Sequence, residues 1–422
     1  MLSVDSRLQP LGHYLRDAVE SKGTPLGFID ADGHVMECDE TWDYLDPADR
    51  IHKPRLLQFA EPERPGLEPP YHWIVGDTWA RRPPRDGNVY NNGNAYGPGC
   101  LDLTDPARRI KDLDALGIDV QVVHSSFFIG VELANPDIEA AITRSYNRWI
   151  ADRLDGYTDR LRWTVRPPVL NIPRALEEIE FGKEHGAVGV ALRGIEHDMY
   201  LSDRTLWPIY EKAQDLDLPI IIHLGASVRK HNVPLGRVVP APAALTDHIY
   251  PLMSGFHAVI ASDFHERFPR LRFGFIEGGA TWVHAVIQFH ARVAGSQGWN
   301  DDFMKIHYMT PEELEARNVF VACESDEDIA YITDLVGENV LCTGTDYGHN
   351  DAGGELGVHE RMLTRTDIPR AVAEKIVDTN GRRLYGIDPT FRAAPPLGSG
   401  GELAVKNAQF VGQEPFRFNV LV

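Results

Sequence analysis

Apolar, β-branched runs recur along this chain between stretches of helical period. After a first run at 26–30, ending in the polar D-A-D-G-H of 30–34, they stand at 118–123 (IDVQVV), 161–165 (LRWTV), 187–192 (AVGVAL), 218–222 (LPIII), 271–276 (LRFGFI), 318–322 (NVFVA) and 339–343 (ENVLC). Between them lie 105–116, 136–154, 173–185, 203–216, 245–266, 280–294, 326–336 and 368–385, where apolar residues return with the period of an amphipathic helix. Strands this apolar are buried on both faces, as parallel sheets require. Eight strand-then-helix units predict an α/β fold, a (β/α)8 TIM-like barrel. The alternative is a doubly wound open sheet, which would carry a G-x-G-x-x-G turn after its first strand; none stands there.

Two features interrupt the rhythm. From 37 to 103 the pattern dissolves into Pro, Gly, Asn and aromatics (EPERPGLEPPYHW, RRPPRDGNVYNNGNAYGPG), an irregular length that suits a lid or binding loop inserted after the first strand. Its Gly- and Asn-rich part at 90–100 suits either a mobile lid or a static surface loop, and Trp42, Trp73 and Trp79 either wall an apolar pocket or pack the insertion on the barrel. The chain therefore divides into an N-terminal arm at 1–25 with a short helix at 9–22, a barrel at 26–392, and a tail at 393–422. The tail's apolar end suits a clasp in a homo-oligomer, or in a hetero-oligomer with a homologous subunit.

Composition narrows the class. At 43% hydrophobic and 25% charged, the chain has the composition of a globular protein, which excludes disorder, collagen and disulfide scaffolds. Sixty-two acidic against 42 basic residues give a net charge of −20, so neither nucleic acid nor an anionic membrane is an expected partner. Cys38, Cys100, Cys323 and Cys342 are scattered without a C-x-x-C pair, which fits a reducing compartment and argues against a thiolate zinc site. With no signal-like segment and no membrane-length apolar run, a cytoplasmic enzyme of a small-molecule substrate is expected.

Barrel chemistry sits where strands end. In strand order the residues there are Asp32 and His34, His124, Arg166, Arg193, His223, Glu277, Glu324, and Asp346 with His349 close behind. Ionisable groups at every strand end cannot all be unpaired core residues, because burying a lone charge costs several kcal/mol. They are expected to converge on something polar, and a metal is the least costly common partner. Imidazoles and carboxylates from different strands suit Zn²⁺, Mn²⁺ or Fe²⁺ with an open water position. Asp32 and His34, two apart on an extended segment, point to one side. Asp346 suits both ligation and proton acceptance from bound water.

FIDADGHVME, YNRWIADRLDGYTDRLRW, IIIHLGAS, ERFPRLRFGFIEGGATWV, CTGTDYGHND and DTNGRRLYGI, in that order, resemble the amidohydrolase superfamily over roughly residues 26–388, in the branch that includes aminocarboxymuconate semialdehyde decarboxylase. The resemblance implies a metal held by His34, His223, Asp346 and the first residue of the Asp32-x-His34 pair. The chain departs twice from the family pattern: Asp32 stands where His or Glu is usual, and Glu277 where many members have His. Both changes add negative charge, which suits a harder metal or a second ion; Glu277, His349, His257 and His284 would support the first ion or hold the second. His257 and His284 lie in helical patterns, where a structural role is the competing account.

Asp346, His223 and Glu277 are the expected catalytic residues, and His124, Arg193, His257 and His284 the expected substrate contacts. Arg166, before Pro167 and Pro168, reads as an ion-paired support. The leading expectation is a metal-dependent hydrolase, with metal-bound hydroxide attacking an amide, ester or C–C carbonyl substrate. One alternative is non-oxidative decarboxylation of an aromatic or unsaturated acid. Another is a dinuclear Fe or Mn/Fe site for oxygenation or thioester hydrolysis, similar to the paired subunits that hydroxylate 2-aminoisobutyrate. A barrel without metal, serving as a partner subunit, is the non-enzymatic reading, and intact His34, His223 and Asp346 speak against it.

Overall fold

The computed structural model describes residues 27–58, 71–76, 78–82, 96, 99–225, 248–295, 309–349 and 353–393. Among these, eight parallel strands form one sheet in chain order: β1 (Ile29–Val35), β2 (Val120–Ser125), β3 (Leu161–Val165), β4 (Ala187–Arg193), β5 (Ile220–His223), β6 (Phe273–Ile276), β7 (Val319–Ala322) and β8 (Leu341–Cys342). The sheet closes on itself. Ala31 N donates to the Thr343 carbonyl at 3.2 Å, His34 N donates to the Tyr347 carbonyl at 2.6 Å, and Gly33 bridges Tyr347 in parallel. With helices such as Pro106–Leu116, Pro136–Leu154 and Ile172–Glu184 between the strands, this is the (β/α)8 barrel that the periodicity predicts.

The strand pleat sorts side chains into two layers. Along β7, Val319 and Val321 join the large outer core, while Phe320 and Ala322 join a small inner cluster with Ala31, Val122, Ile221, Ile276 and Cys342. Two residues further along the same parity, His124 follows Val122, His223 follows Ile221 and Glu324 follows Ala322. Alternation thus carries ionisable groups onto the inner face at the strand ends.

Closure between β8 and β1 needs a residue without a side chain. A Cβ on Gly344 would lie 2.4 Å from Asp32 Cβ and 2.5 Å from Asp32 N, so only glycine lets the two segments pass this closely. Asp30 fastens the same seam. Its carboxylate accepts from Thr345 N at 2.7 Å, Thr345 Oγ1 at 2.5 Å and Gln121 Nε2 at 2.6 Å.

Several boundaries differ from the periodic reading. The first strand runs Ile29–Val35, so Asp32 and His34 lie within it and not in a loop beyond it; the partners of Asp30 make a polar strand interior affordable. The pattern at 245–266 is broken at Ser262 into helices Tyr250–Ala261 and Phe264–Arg267. The one at 326–336 begins at Ile329, where the Asp328 side chain caps Tyr331 N at 3.1 Å. A π turn at Lys375–Thr379 divides the last helical stretch.

The insertion is not wholly irregular. It contains 3-10 turns at Asp39–Tyr44 and Arg50–His52, and a three-stranded antiparallel sheet of Arg55–Gln58, Tyr71–Val75 and Thr78–Arg82, whose alternation prolines obscure in the sequence. Trp42 and Trp73 meet edge to face at 5.7 Å inside the main core, so both serve packing. The Trp79 side chain, the N-terminal arm, the tail beyond Ala393 and most of 90–100 lie outside the described residues. Among the described residues no helix is long and apolar enough to cross a membrane.

Candidate metal centre

β1, β5, the turn after β6 and the loop after β8 bring six buried or half-buried groups together. Ligand atoms of Asp32, His34, His223 and Glu277 lie within 4.8 Å of one another, and so do those of His34, Glu277, Asp346 and His349. His34 is central. Its Nε2 lies 3.2 Å from Asp32 Oδ1 and 3.3 Å from Asp346 Oδ1, and its ring stacks on His349 at 3.8 Å. His223 Nε2 lies 3.2 Å from Asp32 Oδ1.

Local hydrogen bonds choose which nitrogen faces the centre. His223 Nδ1 is 2.7 Å from the Leu224 carbonyl, which can only accept, so Nδ1 carries a proton and Nε2, 3.2 Å from Asp32 Oδ1, is the nitrogen left for a metal. His349 Nδ1 lies 2.9 Å from Asp346 Oδ1, and its Nε2 lies 3.0 Å from Ser126 Oγ. Two of the six residues sit on left-handed backbone, Glu277 at φ 60° and Asp346 at φ 48°, a conformation that costs about 1–3 kcal/mol and clusters at functional sites.

The electrostatics suit a cation. Burial opposes ionisation of Asp32, yet His223 and His34 outweigh it and hold the carboxyl well below its usual range. Burial, and then His349, hold His34 well below the usual imidazole value, so it is a neutral lone-pair donor. His34 is fully buried and neither ring nitrogen makes a well-aligned hydrogen bond, a cost that coordination would remove. Three imidazoles and three carboxylates therefore fit a divalent ion that accepts nitrogen and oxygen ligands.

The other expected residues are placed as follows. His124 stands opposite His34 in the strand register, with Nε2 3.1 Å from the Ala31 carbonyl and Nδ1 3.1 Å from Thr164 Oγ1. Both nitrogens are engaged, and burial pushes its pKa down to about 4, so it is a neutral wall residue beside His223. Arg193 pairs with Glu196 and not with Glu277 or Glu324; Arg166 forms its expected ion pair with the same Glu196. His257 is 3.1 Å from His290, on an outer groove lined also by Trp207, Tyr250 and Phe289. His284 pairs with Gln288 at 2.7 Å. Neither is among the grouped ligand atoms.

Glu196, Ser126, Glu37 and Tyr96 were not singled out by sequence reasoning. Glu37 is held by Ser125 Oγ at 2.5 Å and Phe127 N at 2.9 Å, and burial pushes its pKa up to about 7. The Tyr96 hydroxyl donates to the His349 carbonyl at 3.2 Å, which ties the insertion to the centre. Only for Glu196, an acid three residues after a strand-end Arg, was a signal readable in the sequence.

Comparison with known proteins agrees with this architecture. A 2-amino-3-carboxymuconate-6-semialdehyde decarboxylase of Dictyostelium discoideum is 22% identical over 290 residues, 68% of this chain and 77% of that protein. The crystal structure of an amidohydrolase from Mycobacterium avium subsp. paratuberculosis K-10 superposes with a TM-score of 0.67 at 20% identity, covering 86% of this chain and 98% of that one. A manganese-bound 5-carboxyvanillate decarboxylase of Novosphingobium aromaticivorans gives 0.53 at 21% identity, over 68% of this chain and 82% of that one. The family described as Amidohydrolase matches residues 29–387, which span every barrel strand and every grouped ligand, and this chain belongs to it.

Proposed function

We propose that this enzyme decarboxylates an aromatic or unsaturated carboxylic acid without an oxidant, on a divalent metal held by Asp32, His34, His223 and Asp346. The observation that carries this reading is a proton donor placed at the metal centre. Asp346, which His349 holds at 2.9 Å, stands at the edge of the imidazole–carboxylate cluster, where it can pass a proton to an acid bound there, and the cavity of about 30 Å³ next to His124 and His223 has the volume of a single water. The decarboxylase relatives support the same choice over hydrolysis. Asp32 keeps the carboxylate of the Glu found at this position in some members of the family and is shorter by one methylene.

A bound divalent ion would supply a Lewis acid that fixes the substrate carboxylate and draws charge from it. The chain's own residues then hold and move one proton. Asp346, oriented by His349 at 2.9 Å, delivers a proton to the carbon bearing the carboxylate. The bond to the carboxylate breaks, its electron pair returns to the substrate skeleton, and carbon dioxide leaves. Asp346 regains its proton from water. Ser126, 3.0 Å from His349 Nε2, keeps that ring in place.

A panel of hydroxybenzoates and unsaturated acids, offered to manganese-loaded enzyme in D2O, is expected to yield carbon dioxide and a product with one deuterium at the vacated carbon. Asp346→Asn should slow this by roughly 10²–10⁴-fold. Release of amine or alcohol from amides or esters, with no carbon dioxide from any acid, would establish the hydrolase reading instead.

The two overlapping ligand groups, sharing His34 and Glu277, favour a second reading with two Fe or Mn ions per chain, for oxygenation or thioester hydrolysis. Metal analysis separates the two. The mononuclear centre predicts about one ion per chain, unchanged in His349→Ala, whereas a dinuclear centre predicts about two, falling to one in that variant.

A further inference from the structure

We propose that Arg109 is the positioning residue of the metal centre: it fixes the backbone on both sides of Asp346 and behind His34, and so sets how tightly the centre holds its ion. The inference rests on the reading that His34 and Asp346 ligate a divalent metal.

Arg109 stands on the helix Pro106–Leu116, wholly buried at 0% exposure. Its neighbour Arg108 pairs with Asp112, whereas Arg109 makes no ion pair among the described residues. Its Nη1 donates to the His34 carbonyl at 2.7 Å and its Nε to Gln121 Oε1 at 2.7 Å, while Nη2 is buried without a hydrogen-bond partner. A buried guanidinium without a carboxylate is costly to the fold, and an apolar side chain of similar volume would serve packing as well or better. Its use lies in what it touches.

Both ligand-bearing segments rest on it. On one side the Tyr347 ring lies across the guanidinium, 4.3 Å from Cζ to the ring centroid, and the Tyr347 hydroxyl donates to Asp112 Oδ2 at 2.7 Å, one turn along the same helix. On the other, Gln121 passes the constraint on: its Nε2 donates to Asp30 Oδ2 at 2.6 Å, and Asp30 accepts from Thr345 N and Oγ1 at 2.7 and 2.5 Å. Thr345 and Tyr347 flank Asp346, whose left-handed backbone at φ 48° persists only where its surroundings hold it. The His34 carbonyl on Nη1, and the His34 N–H on the Tyr347 carbonyl at 2.6 Å, join the second ligand to the same guanidinium. One planar fork thus sets the spacing of two ligands that come from the first and last strands.

Titration of the full chain with Mn²⁺, with free ion counted by its electron paramagnetic resonance signal, tests this. In Arg109→Lys, which keeps the charge and loses the fork, the dissociation constant is expected to rise about 10–100-fold, the effect of removing a partner behind a ligand. Gln121→Met, which cuts the link to Asp30 at similar length, should raise it about tenfold. Leu113→Ala, in the apolar core on the same helix, should lower the urea midpoint of unfolding and leave Mn²⁺ binding within about twofold. Unchanged affinity in folded Arg109→Lys, or in Gln121→Met should the lysine variant not fold, overturns the proposal. So does an equal loss in Leu113→Ala, which would make Arg109 a residue of stability alone. If the unaltered chain binds no Mn²⁺, the metal reading falls and this inference with it; if it binds and the variants bind equally well, the inference falls alone.

Discussion

Replacing His223 by Ala is expected to strip the centre of metal and abolish turnover. Its Nε2 is turned toward Asp32 because the Leu224 carbonyl holds Nδ1–H, which leaves Nε2 as the ring atom that a metal would take. Removing a group that merely supports a ligand costs roughly 10–100-fold in affinity, and removing the ligand itself should cost more. Elemental analysis of protein purified without added metal should show occupancy falling from about one ion per chain to a small fraction. Activity should fall in parallel and return in part with added imidazole, which fits the space left by the ring. Unchanged metal content and activity would remove the common basis of every enzymatic reading above, mononuclear or dinuclear.

The second large effect is on stability. Glu196→Ala would leave two buried guanidiniums without their shared carboxylate, and breaking a buried ion pair by removing one partner costs about 3–5 kcal/mol. Burial by itself would raise the Glu196 pKa, but Arg166 and then Arg193 outweigh it and hold the carboxyl below the usual range. A depressed folded pKa means that the stabilisation is complete above the ordinary carboxylate range and is lost only as pH falls through the folded value. Urea unfolding at pH 7 and at pH 6 should therefore give the same loss. The exposed Arg174–Glu177 pair is the control: both side chains are more than half exposed, and Glu177→Ala should change stability by less than about 1 kcal/mol. A loss of similar size for Glu196→Ala would show that the trio is not a closed ion-pair unit.

The barrel was legible because its strands are apolar on both faces and its helices keep a clean period, so the count and order of units follow from patterning alone. Asp32, His34, His223, Glu277, Asp346 and His349 were legible for a related reason. An ionisable residue at the end of an apolar strand needs a partner, and these six converge on one another, whereas Arg166 and His124 at other strand ends find structural partners. What stayed hidden is what depends on pairing across the chain. Nothing local tells that Arg166 and Arg193 share Glu196, or that Asp30 is satisfied by Gln121 and Thr345, which is why β1 was read as ending early. The small sheet in the insertion was missed because Pro and Gly mask alternation in short strands. His257 and His284 are a different case: a histidine on a helix carries no strand register, and the fold sets them beside His290 and Gln288, apart from the grouped ligand atoms.

The seam between β1 and β8 joins residues 315 positions apart, Asp30 to Thr345. Contacts of that separation are slow to form, since the chain-closure entropy must be met before they stabilise anything. The grouped ligand atoms straddle the same seam, with Asp32 and His34 on one side and Asp346 and His349 on the other. No half of the barrel therefore holds the whole group. An ion bound there would tie the two edges of the barrel together, and its binding free energy would add to the stability of the closed form.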